Sequence, residues 1–129
     1  MLAKDIMTQH VIAVSPQTPV KQLAKTLSQN HISGTPVVDK SGKVVGVVTQ
    51  RDLLGKKGAQ VKSIMSKKVI SVMEDTPVEE IASVMTARNV KRVPVFRGQK
   101  LAGIVSRGDL VRAIATGEHI ALRTPIYDL

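Results

Sequence analysis

Two stretches of this chain set a hydroxyl three residues ahead of a carboxylate: Thr49-x-x-Asp52 in "GVVTQRDLL" and Ser106-x-x-Asp109 in "GIVSRGDLV". A hydroxyl at a helix start sits where free backbone N–H groups favour an anion, and a carboxylate beside it can accept from two neighbouring sugar hydroxyls. The same pattern is an ordinary helix-start signal, with the hydroxyl as cap and the acid in the first turn. The two roles are compatible. Each copy also has a glycine three residues before the hydroxyl, Gly46 and Gly103, which serves either a ligand site or close strand packing. Arg51, adjacent to Asp52, supplies a donor for phosphate oxygens, arginine adding a planar fork.

Other chemistries find less support. The chain has no cysteine, which excludes disulfides, thiolate catalysis and cysteine-based zinc sites, and His10, His31 and His119 lack metal-ligand spacing. No nucleophile stands in a recognisable order with a histidine base, so the expectation is a non-enzyme without a cofactor. Phe96 and Tyr127 are the only aromatics, too few for a base-stacking platform. The opening "MLAKDIMTQH" carries charge where a signal peptide needs an apolar run, and no stretch reaches membrane-spanning length, so a cytoplasmic protein is expected. A net charge of +9 suits nucleic acid, an acidic protein, a membrane surface or a phosphorylated small ligand, besides plain solvation.

The 129 residues repeat themselves. A shift of 58 lays "KDIMTQHVIAV" on "KSIMSKKVISV" and "TPVKQLAKTL" on "TPVEEIASVM"; beyond the turn "DKSGK", one residue longer than "RGQK", the shift becomes 57. "VIAV" and "VISV" read as strands. Thr18-Pro19 and Thr76-Pro77 read as an N-cap followed by proline at the first helical position, with Glu79 completing a capping box on Thr76. Val20, Leu23, Ala24 and Leu27 make one apolar helix face, matched by Val78, Ile81, Ala82 and Met85, and the methionines at 7, 65, 73 and 85 read as core filler. Two apolar runs around a Gly-containing turn predict a hairpin, and a second helix follows, shorter in the first copy where Gly55 and Gly58 interrupt it. Each copy is therefore strand, helix, strand, strand, helix. A half of about 55 residues rarely buries enough surface alone, so the halves should share a core about a pseudo-two-fold axis.

The "IM" opening, the "TPV" helix start, the "PVV" or "PVF" strand and the Gly-h-x-Thr/Ser-x-x-Asp ending (h, apolar), in order and twice, resemble a cystathionine-β-synthase (CBS) domain pair, or Bateman module, over residues 4 to about 114. The resemblance implies a mixed α/β fold of two tandem βαββα repeats, 1–60 and 61–117, with 118–129 as a tail for packing or dimer contact. It implies two clefts that take adenine nucleotides or adenosyl compounds, each joining the ending of one copy to the beginning of the other. The motif aspartate would meet ribose hydroxyls and the Thr or Ser the phosphate. A second family motif, h-x-Thr/Ser-x-x-Pro, lines the adenine end; here the first copy has Val11, Ala13 and Pro16 and the second Val69, Ser71 and Glu74, so one lacks the hydroxyl and the other the proline.

On that mapping one cleft would join Thr49, Arg51 and Asp52 to Val69, Ile70 and Ser71, with Lys91 and Arg92 favouring the more phosphorylated ligand. The other would join Ser106 and Asp109 to Val11, Ile12 and Ala13, with Ser33, Gly34 and Thr35. The implied function is a stand-alone regulatory sensor that binds AMP, ADP, ATP or an adenosyl compound, pairs as a homodimer and signals to a regulated protein by conformational change. The alternatives are a basic nucleic-acid-associated protein, resting on Lys56, Lys57, Lys62, Lys67 and Lys68, and a structural dimerisation module with empty clefts.

Overall fold

Each repeat becomes a helix, a β-hairpin and a second helix in the computed structural model of the chain, which describes residues 1–116. The elements in order are α1 (Ala3–Ile6), α2 (Val20–Gln29), β1 (Gly34–Val38), β2 (Val44–Thr49), α3 (Gln50–Gly55), α4 (Val61–Ile64), β3 (Val72–Met73), α5 (Val78–Arg88), β4 (Arg92–Arg97), β5 (Lys100–Ser106) and α6 (Arg107–Ala115). The expected tail at 118–129 and His119 lie outside the described residues.

The chain divides in space into two compact units. One is residues 12–69; the other joins residues 1–11 to those from Ile70 onward. In the first, β1 and β2 pair antiparallel from Gly34 opposite Thr49 to Val38 opposite Val44, and Val14 adds a parallel bridge to Val37. Leu23 and Leu27 of α2 bury against Val37, Val48, Val61 and Ile64. In the second, β3 runs parallel to β4, which pairs antiparallel with β5 from Arg92 opposite Ser106 to Arg97 opposite Lys100. Val78, Ile81 and Met85 of α5 bury against Val93, Val95 and Val105. The apolar faces read from the sequence are thus the buried ones, each fully buried Val, Leu, Ile or Met contributing roughly 1.5–3 kcal/mol.

The leading helices are exchanged. The Ala3 and Lys4 N–H groups of α1 donate to Thr76 and Glu74 carbonyls at 2.8 and 3.0 Å, in the body of the second repeat. The Val61 and Lys62 N–H groups of α4 donate to Thr18 and Pro16 carbonyls, both at 2.9 Å, in the body of the first. Four-residue helices carry too little periodic signal to be read from sequence.

Behind each exchanged helix the chain crosses a hairpin at its glycine. Ser66 pairs with Val47, and Thr8 with Ile104. A Cβ on Gly46 would lie 2.8 Å from the Ser66 carbonyl oxygen and 2.9 Å from Met65 Sδ. A Cβ on Gly103 would lie 2.8 Å from the Thr8 carbonyl oxygen and 2.6 Å from Met7 Sδ. These glycines provide close packing for the Met of each "IM" opening.

Several local expectations are corrected. Pro19 and Pro77, in extended backbone, occupy the N-cap position instead of the first helical one. The hydroxyls of Thr18 and Thr76 turn back to accept from the Ser15 and Met73 N–H groups, both at 3.0 Å, so Glu79 has no capping box to complete. The strands at 11–14 and 69–72 shrink to one bridge at Val14 and the two residues of β3. Met73 is 43% exposed and fills no core, while Met85 is buried as expected. The shorter second helix of the first repeat ends at Gly55, as the interrupting glycines suggested.

Gly46→Ala and Gly103→Ala should each lose about 1–3 kcal/mol in chemical denaturation, because backbone carbonyls cannot yield to the added methyl. Gly55→Ala, with nothing within 4 Å of the added Cβ, should leave stability unchanged or slightly raised.

Candidate functional site

A strand end, a hydroxyl and a carboxylate recur in both units with the same connections. Thr49 closes β2 in extended backbone and caps α3, its Oγ1 accepting from the Asp52 N–H at 3.3 Å. Asp52 Oδ2 in return accepts from the Thr49 N–H at 3.0 Å and the Thr49 hydroxyl at 3.2 Å. Ser106 does the same for α6: its Oγ accepts from the Asp109 N–H at 3.2 Å, and Asp109 Oδ2 accepts from the Ser106 N–H at 2.8 Å. Both are reciprocal capping boxes, so the bland reading of the motif is realised in full.

The second oxygen of each carboxylate faces a cation from its own helix end. Lys56 Nζ lies 2.9 Å from Asp52 Oδ1 and also donates to the Ile64 carbonyl at 3.1 Å. Arg112 pairs with Asp109 Oδ1. The Asp109 side chain is 4% exposed and that of Asp52 14%, while Arg112 and Lys56 are 70% and 50% exposed. Such partners offset the cost of taking a carboxylate this far out of water. A carboxylate has about four lone-pair positions; two capping donors and one cation leave Asp52 one of them, so a sugar diol there must share or displace the cation, whereas one capping donor and one cation leave Asp109 two. Sequence reading did not assign Lys56 or Arg112 to the site, although their i,i+4 and i,i+3 spacing from the aspartates is the usual one for helical ion pairs.

In the unit of residues 12–69, the Thr49 end of β2 lies opposite Gly34, and the Gln50 N–H donates to the Ser33 carbonyl at 2.9 Å. The buried Thr35 hydroxyl donates to the Ile12 carbonyl, which pins Ile12 and Ala13 beside β1. In the other unit the Arg107 N–H donates to the Lys91 carbonyl at 3.0 Å, and Arg92 of β4 lies opposite Ser106. Ile70 and Ser71 lead there into β3 beside β4. Each unit thus brings together residues that the sequence reading divided between two clefts. Thr49, Arg51 and Asp52 gather with Ile12, Ala13, Ser33, Gly34 and Thr35, while Ser106 and Asp109 gather with Ile70, Ser71, Lys91 and Arg92. The reason is that only the leading helix changes partner; the segment after it returns to its own repeat, the chain passing between units after Val11 and after Val69.

Charge divides accordingly. Lys91 is exposed and Arg92 half-buried at the Ser106–Asp109 strand end; the corresponding positions within the other unit are Ser33 and Gly34. Burial lowers the pKa of the Arg92 guanidinium, which nevertheless stays charged at neutral pH. Arg51 is exposed in the first turn of α3.

The CBS domain family model matches residues 3–57 and 61–116. An uncharacterised protein of Bacillus subtilis, YlbB, is 34% identical over 89% of this chain and 83% of its own length. An inosine-5'-monophosphate dehydrogenase of Methanocaldococcus jannaschii is 34% identical over 85% of this chain, which spans 23% of that enzyme; an L-aspartate semialdehyde sulfurtransferase of the same organism is matched over the same 23%. Among solved structures, CBSX2 in complex with AMP superposes with a TM-score of 0.86 at 29% identity, over 92% of this chain and 98% of that one. The CBS domain pair of protein MJ0100, in complex with 5'-methylthioadenosine and S-adenosyl-L-methionine, superposes with a TM-score of 0.84 at 31% identity and the same coverage.

Ser106→Ala should cost roughly 1 kcal/mol in denaturant unfolding through loss of the cap. Asp109→Ala and Asp52→Ala should each cost about 1–3 kcal/mol in the same measurement, because each strands the N–H of its capping residue, Ser106 or Thr49.

Proposed function

The chain belongs to the CBS domain family, and from that premise we propose that it is a regulatory module that binds an adenine nucleotide or a related adenosyl compound and signals occupancy to a partner. The observation that carries this reading is the twice-built strand end at which a capped carboxylate, a hydroxyl and a helix start converge. It has the groups a nucleoside needs: an acceptor for ribose hydroxyls and donors for a phosphate. The AMP, methylthioadenosine and S-adenosylmethionine of the superposing structures support the ligand class.

A regulatory role follows from how the acids are used. Asp52 and Asp109 are committed to caps and cations, so neither is poised as a base against a nucleophile. Ligand binding changes a partner only through different affinities for two states, and displacing Lys56 or Arg112 from its aspartate supplies such a difference. Within this reading, the Ser106–Asp109 unit takes the more phosphorylated ligand because Lys91 and Arg92 stand there. That reverses the assignment implied by sequence. Val11 and Val69, at the crossings, are retained as candidate lining residues.

Homodimerisation belongs to the same proposal. Leu54 on α3 and Val111 on α6, which correspond under the 57-residue shift, are 86% and 63% exposed. Among the described residues no helix is long and apolar enough to cross a membrane.

Titrating AMP, ADP, ATP, methylthioadenosine and S-adenosylmethionine into the protein should raise its melting temperature for at least one of them, by about 2.7 kcal/mol of stabilisation at a hundredfold excess over Kd. Lys91→Ala should weaken phosphorylated ligands about tenfold and leave methylthioadenosine unchanged, as isothermal calorimetry would show. No response to any of the five ends the sensor reading.

A further inference from the structure

Residues 12–69 carry nine lysines and one arginine against two aspartates and no glutamate, whereas the rest of the chain carries nine cations against eight acids. Nearly all of the +9 therefore belongs to one unit. All ten of its cations are exposed. Its two acids are already engaged: Asp39 Oδ1 accepts from the Ser41 N–H, the Ser41 hydroxyl and the Lys43 N–H in the hairpin turn, and Asp52 holds the α3 cap and Lys56.

This charge does not arise from the needs of the fold. Where α5 begins with Glu79 and Glu80, α2 begins with Lys21 and has no acid in its first turn, against the preference of a helix N-terminus for negative charge. The two units share a scaffold, so the difference points to a partner.

The cations are distributed along the unit. The Val20 N–H donates to the Ala59 carbonyl at 3.0 Å, and the Val61 and Lys62 N–H groups donate to Thr18 and Pro16, which lays the Lys56–Lys62 segment along the start of α2. Lys21, Lys57 and Lys62 share that border. Lys67 and Lys68 follow Ser66, which is bonded to Val47 of β2. Lys40 and Lys43 sit at the turn end of the hairpin and Arg51 at the other, about 17 Å away for a five-residue strand. That span is too long for one phosphate group and fits a polymer of regularly spaced charges.

The chemistry of these cations selects the polymer. Nine of ten cations are lysines, point charges without the fork that reads bases, and Phe96 and Tyr127 both lie outside the unit, so it offers no stacking face. Leu54 is its one exposed large hydrophobic side chain among the described residues, little for insertion into a bilayer. We infer that the unit of residues 12–69 docks on the phosphate backbone of duplex nucleic acid, without base readout and independently of any adenine ligand.

The test is fluorescence anisotropy of a 30-bp duplex DNA of arbitrary sequence with the full chain across a salt series, beside co-sedimentation with phosphatidylserine vesicles. Neutralising about five phosphates should weaken binding several hundred-fold between 50 and 200 mM salt. Changing Lys57, Lys62, Lys67 and Lys68 to Glu should abolish it, while changing Lys4, Arg88, Arg97 and Lys100 to Glu, an equal change in net charge, should leave affinity within about threefold. Melting curves report folding of both variants, and Gln at the same four lysines replaces Glu if the first does not fold. Absence of duplex binding at 50 mM salt, equal losses from the two sets, or binding to vesicles but not to duplex would each overturn the inference. The adenine titration is read separately, so either reading can fail alone.

Discussion

One carboxylate per unit does two jobs with its two oxygens, and the site depends on that division. Oδ2 of Asp52 or Asp109 closes the capping box that turns a strand into a helix, while Oδ1 faces a cation. The cap fixes where the second oxygen points, since the side chain has few rotatable bonds and one end is already bonded. The residue offered to a ligand is thus held by the fold and not merely exposed on it. The cation has a separate consequence: it offsets the desolvation of a nearly buried charge.

The orientation of that strand end depends in turn on the exchanged helix. A Met and a backbone carbonyl press on the hairpin where only glycine leaves room, three residues before the capping hydroxyl. Two sequence marks that look unrelated, the "IM" opening and the glycine of the aspartate motif, are the two sides of one contact. The exchange also explains why neither repeat supplies all of its own core: Val61 and Ile64 of the second repeat's leading helix complete the cluster around Leu23 and Leu27.

Much of this was legible in the sequence. Helix faces with period 3.6, the hairpins around Gly-containing turns and the hydroxyl–acid boxes all announce themselves locally. What was not legible depends on distant segments. Whether Thr18 caps a helix or turns back to Ser15 is decided by where Pro19 enters, and a leading helix of four residues owes its existence to Thr76 and Glu74 or to Thr18 and Pro16. That Lys91 and Arg92 stand at the Ser106 strand end of their own unit was hidden for the same reason. The repeats exchange a helix but not the strand behind it, and no local pattern marks where exchange stops. Lys56 and Arg112 could have been found, because helical spacing alone places them against the aspartates.

The duplication permits a last step of argument. Two units with the same caps, glycine contacts and hairpin registers have been given different charge distributions: cations at the strand end of one, and cations over the helices, turn and connecting segment of the other. Since the scaffold is common, stability imposes no such difference, and surface charges of this kind add little to it. Charge placed at a strand end beside a capped carboxylate acts over a few ångströms on a small anion; charge spread over exposed elements acts collectively, at a range set by salt. The first pattern suits recognition of a metabolite and the second suits attachment to a polymer, so a fold built twice from one plan is free to carry a different partner on each copy.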